Sequence, residues 1–112
     1  MYYNFIANVI YHDVQDIIIP FPYPSTIAYK VLMKIQKIVN LKYDFAFVDG
    51  SHEEMEVYMD LLYYYSLLDD KGILCGDDYS WSAIKNDLHK FCKTNNKNFT
   101  LMSNNVHWYI QK

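Results

Sequence analysis

The sequence predicts an α/β fold: an open, mostly parallel sheet with helical crossovers. Three observations carry this. Segments of helical period alternate with short β-branched or aromatic runs along the chain. The run Tyr43-Asp44-Phe45-Ala46-Phe47-Val48 is apolar at almost every position, as a parallel strand covered on both faces requires. The last two runs are joined only by Ser103-Asn104-Asn105, a connection short enough for an antiparallel hairpin.

Taken in order, residues 2–12 suit a short helix with Phe5, Ile6, Val9 and Ile10 on one face. Ile17-Ile18-Ile19 reads as a short strand, cut off by Pro20, Pro22 and Pro24, which make a stiff, donor-poor loop. Ser25 is placed to cap a helix over 26–39, where Ile27, Val31, Leu32, Ile35, Ile38 and Val39 recur at helical spacing. The strand 43–48 follows. Residues 53–68 form the next helix, and Glu53, Glu54 and Glu56 load its first turn, where the helix dipole favours anions. Lys71-Gly72 turns the chain into the strand Ile73-Leu74-Cys75. Trp81, Ile84, Leu88 and Phe91 share one face of a helix over about 80–93. The strands 99–102 and 106–110 close the hairpin. The order α-β-α-β-α-β-α-β-β favours right-handed crossovers.

Composition narrows the function. The chain has 112 residues, 52% hydrophobic and 21% charged, which fits one domain spanning 1–112 and excludes disorder. No apolar run reaches the ~18 residues of a membrane span. The start, Met1-Tyr2-Tyr3-Asn4, has no basic region ahead of an apolar stretch, so no signal peptide is expected and cytoplasm is the expected location. Two cysteines, Cys75 and Cys92, make no disulfide framework, and Cys75, inside an apolar strand, reads as inert filling. The net charge of -3 argues against a general nucleic-acid binder. The charge is uneven, however. Residues 44–78 hold ten acids against one Lys, while 79–112 hold five Lys against one Asp. An acidic middle between basic flanks invites a cation, although helical acids also serve as a solvated face.

In open α/β sheets, ligands gather beyond the carboxyl ends of the strands. Two strands here end in acids: Phe47-Val48-Asp49-Gly50-Ser51-His52 and Leu74-Cys75-Gly76-Asp77-Asp78-Tyr79. Adjacent parallel strands would bring Asp49, Asp77 and Asp78 onto one rim. Three carboxylates there repel one another unless a cation or a proton intervenes. Oxygen ligands suit Mg²⁺, Mn²⁺ or Ca²⁺ better than zinc. Gly50 and Gly76 let backbone and ligand come close. Each acid alone also suits a plainer role as a cap for the next helix, and a lone His52 at a helix start suits an exposed polar role. The Leu62-Tyr63-Tyr64-Tyr65 stretch reads as core and helix surface rather than as an aromatic substrate cage.

The run from Tyr43 to His52, then Asp60-Leu61, Leu67-Leu68 and Gly72 to Tyr79, resembles the class I S-adenosylmethionine-dependent methyltransferases. The nearest group carries DGSH and GDDY strand ends and is similar to metal-dependent sugar O-methyltransferases of the macrocin type. Catechol O-methyltransferase is a more distant likeness. The match covers about 16–112 and is most specific over 43–92. The resemblance implies a partial Rossmann-like fold with strands 3 and 4-5-7-6 and a best-matched core of 43–110. It implies Asp49, Asp77 and Asp78 as ligands of Mg²⁺ or a similar cation. It implies His52 as the general base for an acceptor hydroxyl on a sugar or other small molecule. For S-adenosylmethionine it implies contacts from Ser25, Asp49 and Gly50.

The family's Gly-rich turn and the acid that holds the ribose lie on its first two strands, and neither pattern is found before residue 43. A chain truncated before the third strand is therefore expected. The strand at 17–19 would then have to slide or hang loose, and the edge of 43–48 would be an association surface. A second copy or a complementing N-terminal half could fill the gap. The competing expectation is a non-catalytic remnant or assembly module that associates through that edge.

Overall fold

The computed structural model describes all 112 residues. Four helices and four strands follow one another: α1 (Tyr2–Tyr11), α2 (Ser25–Val39), β1 (Tyr43–Val48), α3 (Glu56–Leu67), β2 (Leu68–Gly76), α4 (Ser82–Asn95), β3 (Thr100–Leu101) and β4 (Trp108–Gln111). None of these helices is long and apolar enough to cross a membrane.

The strands form one sheet in the order β1-β2-β4-β3. This is the order expected for the 43–110 core. The sheet is mixed, however, and not mostly parallel. Only β1 and β2 run parallel, whereas β4 is antiparallel to both β2 and β3. The reason lies in the segment before α2. Ile17-Ile18-Ile19 makes no strand. The Ile17 and Ile18 N–H groups donate to the Val14 carbonyl at 3.0 Å, which holds them in a turn. Pro20, Pro22 and Pro24 then remove the N–H at every second position, so one whole edge of the segment has no donors for a ladder.

Local chemistry moves several other boundaries. Ser25 is not a cap. Pro24 precedes the helix with extended backbone, and Ser25 is the first helical residue. Helix α3 starts at Glu56, so of the three glutamates only Glu56 lies in its first turn. Its free amides are satisfied from another helix. The buried Asp87 carboxylate on α4 accepts from Met55 N at 2.7 Å and from Tyr58 N at 3.0 Å. Strand β2 begins directly after α3, and the turn expected at Lys71-Gly72 is an irregularity inside it: Tyr43 pairs with Leu68 and Phe45 already pairs with Ile73.

One face of the sheet is covered. Leu74, Trp108 and Ile110 meet Val57, Leu61, Ile84, Leu88 and Phe91 from α3 and α4 in one buried cluster. The cluster follows from alternation along the strands and from the helical spacing on α4. Helix α2 joins through α3, where Tyr29 stacks on Tyr63 at 4.5 Å and Gln36 donates to the Leu67 carbonyl. The other face of the sheet is open. Phe45 and Phe47 stand exposed on it, so β1 is covered on one face only, because no helix packs there. Helix α1 packs on no other helix or strand. Of its expected apolar face, only Val9 is buried.

Candidate functional site

The register Val48↔Gly76 brings the ends of β1 and β2 level, so the acids that follow them share one rim. Beyond β2 the chain turns sharply. Asp78 takes a left-handed backbone (φ 57°) that aspartate tolerates better than bulkier residues. Its N–H donates to Asp77 Oδ1 at 2.7 Å. This turn aims the two neighbouring carboxylates in different directions.

Asp78 points toward the β1 end. His52 Nε2 lies 2.7 Å from Asp78 Oδ2, and the Trp81 ring covers the imidazole with centroids 4.7 Å apart. Ligand atoms of Asp49, His52 and Asp78 all lie within 4.8 Å of one another. Asp49 is exposed and the other two are partly buried. Two carboxylates and one imidazole make a donor set that a divalent cation can use.

Asp77 stands apart from this group. Its Oδ1 lies 3.4 Å from His107 Nε2, and its carbonyl accepts the Trp108 indole N–H at 3.1 Å. Asn104 contacts the other nitrogen of His107, and its Oδ1 accepts from Val106 N and His107 N. A second His–Asp pair thus sits beside the first. The sequence reading did not single out His107, although the hairpin held its signal. Gly76 pairs with Trp108 in the antiparallel register, so the residue before Trp108 must arrive beside the residue after Gly76. Gly76 is also a steric requirement. A Cβ there would run into the Trp108 ring and come 2.7 Å from the Val48 carbonyl. A cavity of about 10 Å³, room for about one water, lies among Asp49, His52, Asp77 and Trp108.

Ser25 and Gly50 meet on the other side of Asp49. They line two larger cavities, of about 560 and 590 Å³, and Asp49 lines the second. Asp60, from α3, forms part of both walls. It is only 7% exposed. Burial pushes its carboxyl above the usual carboxylate range; a hydrogen bond with Ser25 opposes that shift and the Glu56 charge adds to it. Asp60 was visible in the sequence only as part of the Asp60-Leu61 pair. Its place on the cavity wall needed the fold.

The structure therefore gathers Asp49, His52 and Asp78 at one point. It gathers Ser25, Gly50 and Asp49 around a neighbouring hollow, and it turns the Asp77 side chain toward the hairpin. A family model described as a methyltransferase domain matches residues 7–79, more than half of the chain and as far as the end of the rim just described. No curated protein and no solved structure gives a match.

Proposed function

Since the chain belongs to the methyltransferase domain family, we propose that it serves transfer of a methyl group from S-adenosylmethionine to a hydroxyl of a sugar or another small molecule. The observation that carries this reading is the convergence of Asp49, His52 and Asp78 next to cavities large enough for a nucleoside. Ser25, Gly50 and Asp49 form the cofactor side, where serine and carboxylate oxygens can accept from amine and ribose hydroxyl groups.

His52 is the base in this proposal. With its Nε2–H directed at Asp78, the lone pair on Nδ1 is left to accept a proton from the acceptor hydroxyl, and Asp78 stabilises the imidazolium that results. The Trp81 ring restricts the imidazole to that orientation. Asp49 and the free oxygen of Asp78 would hold Mg²⁺ or a similar cation, with Asp77 next to them on the rim. Such a cation supplies positive charge that eases loss of the hydroxyl proton. The remaining work is alignment of acceptor oxygen and methyl carbon.

Isothermal titration with S-adenosylmethionine and S-adenosylhomocysteine, with and without Mg²⁺, tests this. Saturable heat is expected for both ligands. The absence of heat under either condition overturns the proposal for this chain.

A further inference from the structure

Two apolar surfaces in this molecule lack partners, and they have matching chemistry. The first is the open face of the sheet. Phe45, Phe47, Ile73, Cys75 and Tyr109 project from it around a groove of about 440 Å³. Phe45 is 60% exposed, Phe47 50% and Tyr109 37%. An antiparallel or mixed sheet that faces water alternates apolar with polar residues, whereas this face carries aromatic and aliphatic side chains on all three longer strands. The second surface is α1. None of its residues, YYNFIANVIY, is charged, and it packs on no other element. Tyr3, Ala7 and Ile10 fall at i, i+4 and i+7. Tyr3 is 85% exposed and Ile10 63%.

We propose that this chain forms a two-fold dimer in which α1 of each copy covers the open sheet face of the other. Three arguments select a second copy as the occupant. The segment between α1 and α2 carries Pro20, Pro22 and Pro24, and their fixed φ stiffens it. That segment holds α1 away from its own sheet, the arrangement from which elements are exchanged between copies. The two surfaces carry no opposing charge, and the net charge of -3 is small enough that two copies repel weakly. The area also suffices. At roughly 200 Å² per aromatic ring, the three exposed rings on the sheet face offer about 300 Å². The exposed side of α1 offers a similar amount. A reciprocal exchange uses both surfaces of both chains, about 1,200 Å² in all, which reaches the lower bound of a stable interface.

The proposal is independent of methyl transfer, and its test involves no cofactor. Sedimentation equilibrium of the full chain should give twice the 13.4 kDa chain mass. Ile10→Lys and Phe45→Lys each place a charge on an exposed site, one on each surface, and circular dichroism checks that both variants keep their fold. Each alone should weaken dimerisation at least tenfold. A monomeric parent chain overturns the proposal. So does a dimer indifferent to either substitution.

Discussion

His52 Nε2 and Asp78 Oδ2 lie 2.7 Å apart, although 26 positions separate the two residues in the chain. The contact exists because β1 and β2 are parallel and end level. It fixes which imidazole nitrogen is free, and a neutral histidine so fixed can accept a proton on one side only.

If the proposed roles hold, His52→Gln should abolish methyl transfer while S-adenosylhomocysteine binding stays within about threefold, because His52 lines neither the 560 nor the 590 Å³ cavity. Single-turnover assay and isothermal titration separate the two effects. Equal loss of both would assign His52 to binding instead.

Mn²⁺ titration followed by electron paramagnetic resonance should rank the acids. Asp49→Asn and Asp78→Asn are expected to weaken Mn²⁺ binding about tenfold or more, since each removes one carboxylate charge from the converging group. Asp77→Asn should have a smaller effect, because the Asp77 carboxylate faces His107. A dominant effect at Asp77 would mean that the side chain swings into the group.

Asp60→Asn should raise stability at neutral pH. Burial lifts the native carboxyl above its usual value of 3.8, so the folded chain binds the proton more tightly than the unfolded chain. Stability is then lost as pH rises from about 3.8 through the raised native value, and the loss persists above it. Asparagine has no charge to bury and can still accept from Ser25. Thermal melts of the variant against the parent should show a positive difference in Tm at pH 7 that shrinks toward pH 4. A difference constant across that range would refute the assignment.

Asp87→Ala should destabilise the fold by about 2 kcal/mol, the cost of leaving two amides without an acceptor and losing a helix cap. Chemical denaturation measures it. Binding should suffer as well, because Met55 lines the 560 Å³ cavity and its N–H is one of the two that Asp87 holds.

Burial raises both thiols above their usual range. Cys75 and Cys92 should therefore alkylate more slowly with iodoacetamide at pH 8 than free cysteine does, and mass spectrometry follows the rate.

Much of this was legible in the residues. The acids after Val48 and Gly76 placed the rim, the Ile84, Leu88 and Phe91 spacing placed α4 against the core, and the short Ser103–Asn105 connection placed the hairpin; Trp81, expected on the same face, precedes the helix and stays exposed. What failed had separate causes. Ile17-Ile18-Ile19 has strand-forming residues, but alternate prolines after it and hydrogen bonds to Val14 kept it from pairing. The apolar run at 43–48 implied cover on both faces, and apolarity does not reveal whether a cover is present within the same chain. Asp87 is the one acid between residues 79 and 112, and the sequence reading did not single it out. Its role as a cap depends on the packing of α4 against α3, which no local pattern encodes. His107 needed the register of the hairpin before its neighbour could be known.

The indole of Trp108 rests where any side chain at position 76 would have to go. Sites 76 and 108 should therefore drift together through descent or stay frozen together. A descendant with alanine at 76 would have to carry something slimmer than tryptophan opposite. It would then forfeit the clasp on the Asp77 backbone that separates the two histidine–aspartate couples, so one methyl group stands between this rim and a differently wired one.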